Sequence, residues 1–348
     1  MKAYLATRKG LIVLKPKASG WEVEKAHFDG VKVTYVRSDV AKGWIWAGVN
    51  HGHWGPKLHV SKNKGKSFEE IVPPKYPEGS KLSIKEYWAW ARDSKGRIYV
   101  GTDPADFFHS DDEGKTWTLN QSFFKAEGKD RWFGAGTDGT ALHSILINPK
   151  NDNHIIAAVS VGGVLESKDR GQSWKYINKG LQADFMPDKD DPVVQDPHLV
   201  EMSPSNPNVL WQQNHCGIFK SDNSGELWQN LSKAKGLKSP FGWAVVVDEK
   251  NCDIAYTLPA LSDETRVPVH KKLVVQKTTN GGKTWKTLSK GLPQKYCYDI
   301  VYRHAFKKSA KQLLFGSTTG HVYFSKNSGD SWKQLSYQLA PIYAVELM

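Results

Sequence analysis

The chain has 348 residues, with 48 Lys and Arg against 36 Asp and Glu for a formal net charge of +12, and an unusually high count of 14 tryptophans. With 39% hydrophobic and 24% charged residues it has the composition of a folded protein, which excludes disorder as its main description. Three cysteines (Cys216, Cys252, Cys297) without a CxxC pair exclude a disulfide framework and a cysteine-based zinc site.

From the N-terminus, YLAT, GLIVLK and WEVEKA read as three short strands. The segment KPKASGW, which runs into the third, is a degenerate form of an eight-residue box that then recurs six times: SKNKGKSF (61–68), SDDEGKTW (110–117), SKDRGQSW (167–174), SDNSGELW (221–228), TTNGGKTW (278–285) and SKNSGDSW (325–332). The starts lie 49, 57, 54, 57 and 47 residues apart, close to the spacing of propeller blades. In each box an Asn or Asp can accept turn amides, a glycine two residues later supplies positive φ, and the aromatic tacks the turn onto an apolar layer. Many of the tryptophans are therefore a count of repeats.

Around the boxes, runs such as IIAAVS (155–160), GVLESK (163–168) and WKYINK (174–179) complete four-stranded units. Innermost strands are expected near 33–37, 88–92, 142–147, 198–203, 243–248 and 298–303. The seventh is PIYAVEL at 341–347, so that the C-terminus completes the N-terminal blade and leaves no free edge. The expected fold is all-β: one seven-bladed β-propeller domain spanning residues 1–348.

The boxes resemble the Asp-box (BNR) motif of sialidase-like and sortilin-type propellers. More narrowly, LHSILINP (142–149) and QQNHCGIFKSDNSG (212–225) are similar to bacterial propellers labelled glycosyl hydrolase without an established reaction. The resemblance implies that the boxes lie on one face of the disc. The loops between second and third strands, and those leading into the inner strands, then open on the other. On that face His143 and His198 fall at equivalent strand entries, matched elsewhere by Tyr87 and Trp243. His51, His53 and His215 lie in second-to-third-strand loops. The remaining histidines, His304 among them, read as structural or surface. Long loops at 123–140, 182–197 and 259–272 open there too and bring Arg131, Asp196, Glu264 and Arg266.

His143, His198 and His215 are candidate ligands of a divalent transition metal with an open fourth position, or alternatively general acid–base groups. Glu264 or Asp196 would be the carboxylate partner, and Trp88, Trp243 and Tyr87 a stacking surface for a sugar ring. A true sialidase clamps its substrate carboxylate with three arginines. Here only eight arginines exist, the Phe/Tyr-Arg-Ile-Pro motif is absent, and Arg8, Arg131 and Arg266 are the three within reach, so that activity is disfavoured. The GxGxxG string at 134–139 precedes a strand rather than joining strand to helix and reads as a loop.

Two readings remain. One is a hydrolase or lyase acting on a carbohydrate-like or small polar, anionic substrate. The other is a non-catalytic scaffold that binds a protein partner or cofactor on the same face. The charge is uneven, +10 over residues 1–100 and −6 over 101–200, which lacks the continuous basic stripe of a nucleic-acid binder. No run of 18 apolar residues occurs and the start has no long apolar leader, so the expectation is a cytoplasmic protein with neither nucleic-acid nor membrane partners.

Overall fold

In the computed structural model, which describes residues 1–134 and 139–348, short strands pair in chain order into seven four-stranded antiparallel sheets. Each sheet is one blade, and the ring is an all-β seven-bladed propeller. Among the described residues, helix is confined to the single turn Gln121–Phe124 and two 3-10 turns.

Six blades use four consecutive strands, whereas blade one joins the chain ends. Ile342–Leu347 pairs antiparallel with Ala3–Thr7, placing Leu347 opposite Ala3 and Val345 opposite Leu5. That is the closure expected from PIYAVEL, and it satisfies backbone groups that an open ring would leave bare at two sheet edges. Glu346 on the closing strand extends the join into the channel. Its carboxylate accepts a hydrogen bond from Ser38 of blade two and lies 3.7 Å from Arg37 Nη1 and 3.8 Å from Lys307 Nζ of blade seven.

The six full boxes share one geometry. The opening Ser or Thr hydroxyl accepts the glycine N–H at 2.7–3.0 Å, and the Asn or Asp side chain accepts the N–H of the seventh residue. Two consecutive residues have positive φ, as in Ser224 (59°) and Gly225 (89°), which is why the second is glycine. The box also does what the sequence did not disclose: it rivets neighbouring blades. A Cβ on Gly225 would fall 2.5 Å from Ile177 Cδ1 of the preceding blade, and Trp228 Nε1 donates to Ile177 O at 2.7 Å.

Five inner strands lie where the alternating runs put them: Lys32–Asp39, Glu86–Arg92, Leu142–Asn148, Pro197–Met202 and Gly242–Val247. Blade seven differs, because its inner strand is Phe306–Ser309 and not 298–303. Thr318 N–H donates to Ile300 O and Gly316 N–H to Ala305 O. The partner strand thus advances two residues while this one advances five, and residues 301–304 are pushed out of the ladder.

Two outcomes follow from closure and box. Removing residues 341–348 bares the Ala3–Thr7 edge, so size-exclusion chromatography should show aggregated or expanded chain and calorimetry no cooperative transition; an unchanged monomer with unchanged melting would contradict this closure. In the blade-three box, hydrogen bonds from the Thr116 side chain and backbone hold the Asp112 carboxyl at about 2, below its ordinary 3.8. A depressed carboxylate stabilises above its unfolded pKa and ceases to do so as pH falls through its folded one. Asp112→Asn, the residue used by four other boxes, should therefore flatten the acid limb of stability between about pH 4 and 2, read by denaturant titration at several pH values.

Candidate functional site

Each inner strand loses register with its neighbour at its entry, on the face away from the boxes. The slips lie between Val33 and Tyr35, Tyr87 and Ala89, Leu142 and Ser144, Pro197 and Leu199, and Gly242 and Val245, with a further slip on the closing strand between Ile342 and Ala344. A bulge takes its extra residue out of the up-down alternation and re-aims it. Of the residues passed over, Thr34, Trp88, His198, Trp243 and Tyr343, with Tyr302, Arg303 and His304 from the looped-out segment of blade seven, line a cavity of about 460 Å³ at the channel mouth. Strand ends and loops supply the rest, notably Lys32, Glu86, Val161, Asp196, His215, Asp263 and Arg266.

Asp196 is the polar centre. It is 3% exposed, its Oδ1 accepts the Val161 N–H at 3.2 Å, and its Oδ2 lies 3.7 Å from His198 Nε2 and 3.4 Å from His215 Nδ1. Burial alone would raise this carboxyl, but the two imidazoles outweigh it and hold it far below the usual carboxylate range. His215 is raised by its interaction with Asp196, against burial, with Asp263 adding to the pull; Asp263 Oδ2 lies 3.7 Å from His215 Nε2. His198 Nδ1 donates to Gly242 O at 2.6 Å, and its ring stacks on Trp243 with planes 8° apart. Val161 takes φ of 46°, a strained conformation for a β-branched residue, and it is the amide of that residue that Asp196 holds. Among the described residues, Asp196, His198 and His215 are the one group of three or more His, Cys, Asp and Glu whose ligand atoms lie within 4.8 Å of one another.

Opposite charge faces this centre. Arg303 Nε donates to His198 O at 2.7 Å and its guanidinium lies 5.0 Å from the Trp88 ring centre, yet among the described residues it forms no ion pair. Burial pulls Arg303 down to about 10, against Asp196, and it stays cationic at neutral pH. Arg266 lies 5.9 Å from the Trp243 ring, its Nε donating to Asp263 O. Lys32 is paired with Glu86, which also accepts from Trp88 Nε1 at 2.9 Å.

Of the residues chosen from sequence, the structure brings His198, His215, Asp196, Trp88, Trp243 and Arg266 to the cavity. His143 is not there. It is 1% exposed, with Nε2 donating to Pro197 O at 2.8 Å and Nδ1 engaged with Ser144 Oγ, so neither nitrogen is free for a metal or a substrate. Burial, with Arg303 and His304 adding, keeps it neutral, well below the ordinary histidine value. Tyr87 sits on the other side of the bulge from Trp88, 2% exposed in the core beneath blade two. Arg131 is paired with Asp191, and Glu264, Arg8, His51 and His53 are exposed and outside the lining. Part of the GxGxxG string, residues 135–138, lies outside the described residues.

Sequence reasoning missed Arg303 and His304. Arg303 ends the segment 298–303 that was expected as a strand and His304, read as structural or surface, follows it; the one signal was that YRHAF breaks the alternation of the other inner strands. His304 Nε2 donates to His143 O at 2.8 Å, and burial beside Arg303 and Lys307 keeps it neutral.

No family model matches this chain, and no curated protein does. Solved structures do. The chain is similar to an ancestral GH74 enzyme, with TM-score 0.58 and 16% identity over 96% of this chain and 40% of that one. It is similar to YCF48 from Cyanidioschyzon merolae, with TM-score 0.54 and 13% identity over 93% and 90%. It is also similar to YCF48 bound to D1 peptide, with TM-score 0.51 and 13% identity over 85% and 79%. At these identities the likeness is one of fold.

The bulge separates two adjacent aromatics that a regular strand would merely alternate. Tyr87→Ala, cut from the core, should cost about 3 kcal/mol or more, whereas Trp88→Ala, on the cavity wall, should cost about 1 kcal/mol. Urea denaturation checks this, and equal losses would place both rings in one environment.

Proposed function

We propose that this protein holds a small anionic ligand with a sugar-like or other polar ring at the channel mouth and acts on it as a hydrolase or lyase. The observation that carries the reading is Arg303, a cation inside a channel with no carboxylate in ion-pair range among the described residues. Such a charge is costly unless something neutralises it, and a guanidinium is suited to planar, two-point recognition of a carboxylate or phosphate. Arg266 lines the same cavity and supports the clamp. Trp88, Trp243, Tyr302 and Tyr343 offer ring faces for the ligand body. The chemistry is assigned to Asp196, His198 and His215, with Glu86 as a further carboxylate lining the cavity. Membership of the chain in the Asp-box group, its action as one domain over residues 1–348, and a cytoplasmic setting consistent with the unpaired Cys216, Cys252 and Cys297 belong to the same reading.

A second reading, a propeller that docks a protein on this face, draws on Phe133, Phe185, Leu261, Tyr296 and Tyr298. These are exposed apolar or aromatic side chains on loops opening around the mouth. The similar fold of YCF48 bound to D1 peptide is compatible with it.

Calorimetric titration with glucuronate and galacturonate against glucose and galactose separates the two. Binding of the acids alone is expected, weakened at least 10-fold by Arg303→Met, the loss of a charged hydrogen-bonding partner, and unchanged by Arg131→Ala. Equal binding of acids and neutral sugars, or no binding of either, would overturn the anion reading. Release of product from aryl uronides then distinguishes an enzyme from a binder.

A further inference from the structure

We propose that Asp196, His198 and His215 form a binding site for one divalent transition-metal ion of the zinc or cobalt type, its remaining positions open to the cavity beside Arg303. This rests on the reading of that cavity as a reactive site and specifies what the three residues do there.

The separations are the first argument. Asp196 Oδ2 is 3.7 Å from His198 Nε2 and 3.4 Å from His215 Nδ1, longer than good hydrogen bonds. Two ligands each about 2.1 Å from a tetrahedral ion stand about 3.4 Å apart, so the gaps suit a shared ion better than a shared proton.

The far side of each ligand is the second argument. A metal-binding histidine characteristically donates its other ring N–H to a carbonyl or carboxylate, which fixes the tautomer. His198 does so with Nδ1, to Gly242 O at 2.6 Å, and that leaves the Nε2 lone pair of a side chain only 6% exposed aimed at an anionic oxygen. With the ring neutral, two acceptors then face each other in a buried place and need a cation between them. His215 offers Nδ1 inward while its Nε2 lies 3.7 Å from Asp263 Oδ2, an ion-pair separation from which a small turn of the exposed Asp263 side chain would complete the carboxylate–histidine arrangement of metal sites. Asp196 commits Oδ1 to the Val161 N–H at 3.2 Å and keeps Oδ2 for the centre. Asp196 and His198 thus each anchor one atom outward by a hydrogen bond and His215 turns its outer nitrogen toward a carboxylate, while all three present another atom to a common point; all three come from blade five and the loop leading into it.

Two histidines and one carboxylate with open positions is a donor set that zinc-type ions accept. The third histidine expected from sequence, His143, is replaced by Asp196, since both nitrogens of His143 are already engaged.

The test uses untagged full-length protein freed of metal by chelation and dialysis, titrated with Co²⁺ and followed by visible absorption and calorimetry. One ion per chain is expected, with the absorption of a low-coordinate site. His198→Ala should lower affinity at least 100-fold. Asp263→Asn, on an exposed residue that touches no ion, should lower it about 10- to 100-fold while leaving circular dichroism and melting of the metal-free chain unchanged. His51→Ala and His53→Ala should bind as the parent does, and Arg303→Met at least as tightly, because a nearby positive charge is gone. Binding well below one equivalent in the parent, or binding unaltered in both His198→Ala and Asp263→Asn, would sink the proposal. Repeating the uronate titration on metal-free protein keeps the two readings apart. Retained acid selectivity without Co²⁺ binding removes only the metal, and Co²⁺ binding without acid selectivity removes only the anion reading.

Discussion

The site depends on one backbone constraint, the loss of ladder register where each inner strand enters the sheet. Seven strands converge on a narrow channel, and regular alternation would send every second side chain into the wall between blades. The bulges at Thr34, Trp88, His198, Trp243 and Tyr343, and the wider excursion at residues 301–304, instead turn extra groups from six of the seven inner strands toward the mouth, while the blade-four bulge turns His143 into hydrogen bonds with Pro197 and Ser144. Because the pairing below each bulge is intact, these groups are displayed from a rigid base. The strained φ of Val161 belongs to the same design, its amide held by the Asp196 carboxylate at the centre of the cavity.

That display is useful only if the ring is closed and its blades locked. Closure comes from Ile342–Leu347 on Ala3–Thr7 and from Glu346 reaching Ser38, Arg37 and Lys307 across the channel. Locking comes from the boxes, whose glycines leave no room for a Cβ against the preceding blade and two of whose tryptophans, Trp117 and Trp228, donate back to it through the indole N–H. The boxes are remote from the mouth, so the same repeat that makes the fold recognisable is silent about chemistry.

The cavity itself separates charge by sign. Asp196 lies among His198 and His215, while Arg303 and Arg266 stand over aromatic faces without a carboxylate of their own among the described residues. Glu86 is largely committed to Lys32 and Trp88. The basic excess of the whole chain contributes little to this. What matters is Arg303, which among the described residues has no ion pair in a low-dielectric channel, and it lies in blade seven, at the junction with the closing strand, where His304 bridges to Ala344.

Much of the fold was legible because it is written in local, repeated terms. A box every 47 to 57 residues fixes the number of blades, and an orphan strand at 341–347 fixes how the ring closes. The site was legible only in part. His198, His215 and Asp196 could be placed on the right face by counting strands, but His143 stands at the same repeat position as His198 and points elsewhere, into hydrogen bonds with Pro197 and Ser144. Tyr87 and Trp88 were both chosen, and only Trp88, the residue the ladder passes over, reaches the cavity, while Tyr87 is buried in the core. Arg303 was hidden because residues 298–303 resemble a strand, and only pairing with residues 316 and 318 shows that they leave the ladder. The sequence by itself determined the repeat, the blades and the closure, since those follow from periodicity and turn chemistry within each unit. Which side chains meet at the channel mouth was decided by tertiary structure alone, because it depends on where a strand slips against its neighbour and on partners more than a hundred residues away, such as Arg303 on the His198 carbonyl.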